Sequence, residues 1–300
     1  MRIATASTRE ASALPQRWSQ ERRLEFIDFR LCWDGRLNRA DLTEFFGISV
    51  PQASLDIARY EQLAPRNLVY DRSARVYVAG ADFRALYASS SPQRYMEDLL
   101  GAASLAPSTS SLLGHCPPIV SLPNLQRSLD VRVVVALSRA MRDKLGQRIV
   151  YQSMSRAEPH ARVISPHAFA HDGHRFHVRA FCHERGDFRD FVLGRILKIE
   201  GTTAAERDGS CDRAWHTYLE LELAPHPKLP LAHRKVLALD YGMRDGQLTV
   251  PCRQAFVFYT LQHLRLSLSG PAALEPREYQ IVLKNWRDIA RALGNAADDE

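Results

Sequence analysis

The sequence predicts an α+β chain of several domains, and three observations carry that expectation. At 300 residues the chain is about two to three domains long, taking roughly 100–200 residues per domain. Residues 19–79 read as short, closely spaced helices followed by a hairpin. After Gly146 the hydrophobic pattern switches to period two, and residues 206–300 mix both periods.

Composition narrows the class. Hydrophobic residues make up 45% and charged residues 25%, values that exclude a disordered, collagen-like or disulfide-scaffold protein. Charges break every apolar run short of the ~18–20 residues a membrane span needs. The opening stretch MRIATASTREASALPQRWSQ has no apolar segment of a secretory signal. A cytoplasmic protein without a membrane partner is therefore expected. Cys32, Cys116, Cys182, Cys211 and Cys252 are odd in number and never spaced as CxxC, which suits reduced thiols rather than a zinc site. No metal or other cofactor is expected.

The elements follow in order. Residues 1–18 read as a loose polar tail and 19–64 as helical, with breaks at 33–36 and 47–49. In RRLEFIDFRLCW, Leu24, Ile27 and Leu31 recur at i, i+3, i+7, and Phe26 and Phe29 widen the stripe. Asn38 can cap RADLTEFF, and Gly47 ends it, since the left-handed region is easiest for glycine. Ser49 caps a third helix, VPQASLDIARYEQLA, with Pro51 in its first turn. Residues 68–70 and 76–78 pair as a hairpin around 71–74. Residues 88–126 are rich in Ser, Pro and Gly and read as a linker with a helix at 93–100. VRVVVALSRAMRDK is an amphipathic helix. RIVYQSMS, ARVISPHAFAHDGHRFHVRAFC and FRDFVLGRILKIE are strand-like, with Asp172 and Gly173 marking a turn. Strands near 215–223 and 237–241 and helices near 254–266 and 278–293 complete the chain. The boundaries are 1–86, a linker at 87–130, 131–205 and 206–300.

Two helices joined by a short turn containing glycine make a helix-turn-helix, and the hairpin makes its wing. In that geometry the start of the third helix enters the major groove. Gln52 and Ser54 can read base edges, and Ser49 can contact phosphate. Arg59 and Tyr60, further along, suit the DNA backbone, and Arg72 and Arg75 at the wing turn suit a phosphate or minor-groove contact. Arg39, at the start of the second helix, completes the DNA-binding set. Leu55 and Ile57 are assigned to the core. A module for protein contacts is the alternative.

The formal charge is +6, and residues 127–205 hold 14 basic and 8 acidic residues, an excess of the same size, with six of the eleven histidines. That balance suits a polyanionic partner. Alternation places Tyr151, Ser153 and Ser155 on one strand face. It places Arg175, His177, Arg179 and Phe181 on one face of the 174–182 strand, with Phe176, Val178, Ala180 and Cys182 on a core-like face. Arg195 interrupts an apolar strand and must meet a carboxylate, line a cavity or reach solvent, because burying a lone charge is costly. Hydroxyls, histidine and arginines together suit an anion such as a phosphate or nucleotide. Of His167, His171, His174 and His177, two bracket a turn, and no carboxylate or cysteine stands beside them at metal-ligand spacing.

These pieces match a known family. The stretch RLEFIDFRLCWDGRLNRADLTEFFGISVPQASLDIARYEQLAPRNLVYD, the YQSMS motif, the pair PHAFAHDGHRFHVRAFC and FVLGRI resemble the WYL-domain transcriptional regulators of the CapW/BrxR type, encoded beside bacterial anti-phage defence operons. The resemblance is close over the first two domains and positional over the last hundred residues. It implies a winged helix-turn-helix, a central Sm-like (SH3-like) β-barrel WYL domain and a C-terminal α/β extension used for dimerisation. It further implies a homodimeric repressor of its own operon, bound to double-stranded DNA at a palindromic operator and responsive to a nucleic-acid-like or nucleotide effector. The ligand-facing positions it implies are Tyr151, Ser153, Ser155, His167, His177, Arg179 and Arg195. The namesake Trp-Tyr-Leu triplet reads Phe176-His177-Val178 here, which replaces a stacking tyrosine with a hydrogen-bonding imidazole. The alternatives are a single-strand nucleic-acid adaptor using the barrel, or a phosphoryl-transfer enzyme. The sequence has no P-loop, GxSxG or HExxH to support an enzyme.

Overall fold

Gly35 at φ 68° and Gly47 at φ 64° punctuate the first helices, because a residue with a Cβ is strained in that region. The computed structural model describes residues 16–87, 91–104, 112–122 and 127–294, and the chain divides into units Met1–Asn124 and Leu125–Glu300. Residues 1–15 of the expected tail lie outside the described residues, as do 88–90, 105–111 and 123–126 of the expected linker.

The first unit runs α1 (Gln16–Asp34), β1 (Arg36–Leu37), α2 (Arg39–Phe46), α3 (Val50–Leu63), β2 (Leu68–Asp71), β3 (Val76–Ala79) and α4 (Pro92–Ser104). Asn38 is the N-cap of α2, and its backbone N–H donates to Asp41 Oδ2 at 2.6 Å. Ser49 Oγ accepts from the Gln52 N–H at 3.4 Å at the start of α3. Leu24, Ile27 and Leu31 of α1 pack with Leu37, Leu42, Ile57 and Leu68. Each such burial is worth about 1.5–3 kcal/mol against exposure. The hairpin is not alone: β1 pairs with β3, giving the antiparallel order β1-β3-β2.

Polar struts cross this core. Asp28, fully buried, accepts from the Tyr60 hydroxyl at 2.6 Å and from the Leu86 and Tyr87 N–H groups. Arg23 donates to both oxygens of buried Asp56, at 2.6 and 3.2 Å.

In the second unit, α5 (Val131–Asp143) starts at Asp130, which accepts from the Arg132 N–H at 2.8 Å. Its Val133 and Leu137 pack on a sheet of β4 (Leu145–Tyr151), β5 (His160–His171), β6 (Phe176–Cys182), β7 (Asp187–Val192) and β8 (Ile196–Ala204). The order is β7-β6-β5-β4-β8, antiparallel throughout. Gly173, at φ 92°, forms the β5–β6 turn. Among the described residues β7 and β8 do not pair, so the ladder is open and the barrel is not seen as a closed ring.

Three strand expectations are corrected. YQSMS leaves the strand at Tyr151, so Ser153 and Ser155 lie in a loop. FVLGRILKI is two strands, because a 3-10 turn at Leu193–Arg195 separates β7 from β8. On β6 both faces are buried except for Phe176, which is exposed.

The chain continues as a 3-10 turn at Gly209–Cys211, α6 (Arg213–His216), β9 (Tyr218–Pro225), α7 (Leu231–Asp240), β10 (Leu248–Arg253), α8 (Val257–His263), β11 (Ile281–Leu283) and α9 (Trp286–Ala292). The sheet order is β10-β9-β11. Residues 237–241, expected as a strand, fall mainly in helix α7, and 281–283, expected as helix, pair with β9. Helix α7 buries none of its residues and exposes Leu231, Val236 and Leu239. Among the described residues no helix is long and apolar enough to cross a membrane.

Candidate nucleic-acid interface and buried polar site

The outer face of α3 carries Pro51, Leu55, Ala58, Arg59 and Gln62. Leu55 is 64% exposed, which corrects its assignment to the core; Ile57 is buried as expected. Exposed apolar groups on such a helix can meet a thymine methyl, and the spacing of Leu55 from Pro51 and Arg59 was the signal for its exposure. Ser49 is exposed. Gln52 is half-buried, its Nε2 donating to Asp56 Oδ1 at 3.2 Å, and the Ser54 hydroxyl donates to the Val50 carbonyl at 3.0 Å. Arg59 is exposed and donates to Gln62 Oε1.

Tyr60 is not available to DNA. It is fully buried, donating to Asp28 and accepting from Asn67 at 3.0 Å. Burial and the neighbouring carboxylate push its hydroxyl far above the ordinary tyrosine range. Its periodic partner Ile57 is also core, so Tyr60 belongs to the inner stripe of α3.

At the wing, Asp71 Oδ1 accepts from the Ser73 and Ala74 N–H groups at 2.8 and 3.0 Å, fixing the turn that exposes Arg72 and Arg75. Arg39 is exposed and donates to the Tyr77 hydroxyl at 3.3 Å, tying the start of α2 to the hairpin.

The second unit holds a different arrangement. Arg179, on β6, is 7% exposed. Its Nε and Nη2 donate to the two oxygens of Asp212 at 2.7 and 3.2 Å, and its Nη1 donates to Asp190 Oδ2 at 3.3 Å. Asp212 also accepts from His167 Nε2 at 3.1 Å and from the Trp215 N–H at 3.2 Å. Tyr259 donates to Asp190 at 3.4 Å. His177, 1% exposed, donates from Nε2 to Asp172 Oδ2 at 2.9 Å, and its ring lies 5.0 Å from that of Tyr259.

Electrostatics follow from this packing. Burial works against the Asp212 carboxylate, but Arg179 outweighs it and holds the group below its usual range. Asp172 is likewise held far down, where His177 and the His174 and Arg175 N–H groups overcome burial. Asp190 goes the other way, since burial exceeds the pull of Arg179. Burial lowers the His167 pKa in spite of Asp212, and burial pushes Tyr259 up to about 12.

Of the ligand positions the resemblance implies, the structure joins His167 to Arg179 through Asp212 and sets His177 beside Tyr259, a ligand of Asp190. Tyr151 packs in the core of the central domain, 6% exposed, and its hydroxyl accepts from the Val192 N–H at 3.3 Å. Ser153 and Ser155 share a hydroxyl contact of 3.2 Å in their loop. Arg195 is half-buried, its carbonyl accepting from the Gln152 N–H at 3.0 Å, with no carboxylate partner among the described residues. Two of the four histidines meet a carboxylate, His177 on Asp172 and His167 on Asp212, each as a hydrogen-bonded pair. Asp190, Asp212 and Tyr259 were invisible to sequence reasoning, since they reach Arg179 or its partners from other elements.

Comparison with known proteins bears on both regions. Residues 19–101 match the BrxR transcriptional regulator winged helix-turn-helix domain, 132–200 the WYL domain, and 218–289 the BrxR transcriptional regulator C-terminal dimerization domain. The DNA-binding transcriptional repressor CapW of Pseudomonas aeruginosa is 46% identical over 277 residues, 91% of each chain. That of Escherichia coli (strain KTE188) is 45% identical over 275 residues, again 91% of each. The CapW of Stenotrophomonas maltophilia is 41% identical over 91% of this chain and 92% of its own. A solved structure, proteasome accessory factor B/C of Arthrobacter aurescens, aligns with all of this chain and 52% of that one, at 17% identity and a TM-score of 0.26, which shows neither fold nor function. With three family domains in series and relatives matched over nine-tenths of their length, the chain belongs to the CapW family of DNA-binding transcriptional repressors.

Proposed function

We propose that this protein is a homodimeric, effector-responsive repressor that binds an inverted repeat at the promoter of its own anti-phage defence operon. The observation that carries this is the exposed α3 face and wing of a BrxR-type winged helix, in a chain 41–46% identical to repressors named as DNA-binding. Residues 1–86 are the DNA-binding domain, 87–130 the linker, 131–205 the Sm-like sensor and 206–300 the dimerisation domain. Ser49, Gln52 and Ser54 start the recognition helix; Arg39, Arg59, Arg72 and Arg75 supply phosphate contacts.

Two such domains on a twofold axis read half-sites about one helical turn, or a multiple, apart. The exposed Leu231, Val236 and Leu239 of α7 give the C-terminal domain an apolar face for a second copy. His167, His177, Arg179 and Arg195 make the central domain the sensor of a nucleic-acid-like effector, in the cytoplasm where operator and phage nucleic acid meet. The reading is regulatory rather than enzymatic, as the relatives' names suggest.

The test is a salt-controlled titration of the protein against the duplex upstream of its own gene, with scrambled duplex as reference. A preference of about 10³ or more supports a specific regulator, with affinity falling steeply as salt rises. No preference overturns the operator reading.

A further inference from the structure

We infer that Asp212 is an internal occupant of an anion seat, filling on Arg179 and His167 the place that a phosphate group of the effector takes when it binds. This rests on the proposed reading of the central domain as an effector sensor, and adds how that sensor is held closed.

Four donors converge on the Asp212 carboxylate: Arg179 Nε and Nη2, His167 Nε2 and the Trp215 N–H, at 2.7–3.2 Å. The flat guanidinium fork that grips a carboxylate at two points grips a phosphate equally well. Asp212 is 1% exposed and Arg179 7%. When Asp212 leaves, Arg179 keeps only Asp190 on Nη1 and its Nε and Nη2 lose their acceptor, so an anion from outside gains by taking the seat. Asp190 stays on Nη1 through such an exchange and keeps the guanidinium aimed.

The occupant is separable. Asp212 is not on the sheet; it lies in the connection between the WYL match, which ends at residue 200, and the dimerization match, which begins at 218. From residue 206 to 217 it is the one buried residue, flanked by exposed Cys211 and Arg213. The segment is a 3-10 turn and the four-residue α6; Asp212 is its buried tie to β6, and the Trp215 carbonyl, which accepts from Arg253, ties α6 to β10. Gly209 lets it come close, since a Cβ there would lie 2.5 Å from His167 Cβ.

There is also room for more than a phosphate. A cavity of about 530 Å³ opens beside the seat, with His167, Trp215, His216, Arg207 and Lys144 in its wall. Arg207, outside the displaced segment, remains there to meet a further phosphate, while Lys144 is paired with Asp208 at 3.2 Å. Displacing Asp212 lifts residues 209–216, and α6 runs directly into β9, the central strand of the C-terminal sheet. Effector binding is thereby coupled to the dimerisation domain.

The experiment uses the full chain, wild type and Asp212→Asn, with two probes: inorganic phosphate against chloride at matched ionic strength, and 5′-phosphorylated tetrathymidylate. Calorimetry gives affinity, and hydrogen exchange gives the protection of 209–216. Both probes are expected to bind Asp212→Asn about tenfold or more tighter than wild type, because the competing occupant is gone. Adding Arg179→Gln to that variant should abolish the gain. In wild type, saturating phosphate should speed exchange at 209–216. Equal affinity of phosphate for the two proteins overturns the seat. Tighter phosphate on the variant, with the oligonucleotide bound by neither, supports the seat and rejects the nucleic-acid effector. Oligonucleotide bound equally by both supports the effector and rejects Asp212 as its competitor. If Asp212→Asn does not fold, wild-type exchange decides, and protection unchanged by phosphate rejects the inference.

Discussion

Arg23 in the first unit and Arg179 in the second are equally buried, at 7%, and a carboxylate grips each at two points. The surroundings differ. Asp56, the partner of Arg23, is built into α3, whose Ile57 and Tyr60 are core. Asp212, the partner of Arg179, projects from a short exposed connection with no other buried residue between 206 and 217. A buried ion pair between two packed helices is a strut. The same pair with one member on an otherwise unburied connection is a latch, and burial alone does not tell them apart.

The largest effect that distinguishes the two is on stability. Asp56→Ala leaves Arg23 unpaired inside a helical core and should cost the first unit about 3–5 kcal/mol. Asp212→Ala leaves Arg179 with Asp190 and a segment free to let water in, and should cost about 1–2 kcal/mol. Denaturant unfolding of both variants checks this, and equal costs would make Asp212 a strut too.

Gln52 sharpens the comparison because it touches the strut and faces outward from α3. Gln52→Ala should weaken the operator by about 1–3 kcal/mol and scrambled duplex far less. Equal losses in a binding titration would reduce Gln52 to a support for Asp56. Arg72→Ala, at the wing, should weaken every duplex alike and lower the salt slope by about 1.

The smallest effect concerns pH. Burial holds the His167 pKa below its ordinary 6.5, so the unfolded chain binds the extra proton first. Stability should be full above about pH 6.5 and decline as pH falls through the folded value. Asp212, held low, resists protonation over that range and starts to lose its contribution only below about pH 4. Thermal midpoints at pH 7.5 and 5.5 should differ more for wild type than for His167→Gln.

Much of the winged helix was legible because its signals are local. Gly47, Ser49 and Pro51 each act on the nearest turn, and the stripe of Leu24, Ile27 and Leu31 follows helical period. Tyr60 was misassigned because a polar tip suggests a surface, while the partner that buries it, Asp28, lies 32 residues away. The latch was less legible still. Arg179 and His167 meet Asp212 across 33 and 45 residues, and the stretch around Asp212 has no period to place it. In α7 the apolar residues that usually mark a core face outward, so 237–241 read as a strand. At 281–283 a short apolar run, Ile281-Val282-Leu283, was absorbed into the helix that follows it.

Trp215 gives the latch a voice of its own. Its indole lies edge-on to His167 with ring centroids 5.5 Å apart, and the Arg253 guanidinium sits 4.7 Å from its ring. The other tryptophans whose side chains are described lie elsewhere, Trp33 stacked on Tyr95 and Trp286 beside Arg287. Indole emission responds to charges against the ring, and lifting 209–216 would carry Trp215 away from His167. The colour and lifetime of its fluorescence therefore form a built-in gauge of whether the connection is seated, readable in the unlabelled protein during a single mixing experiment.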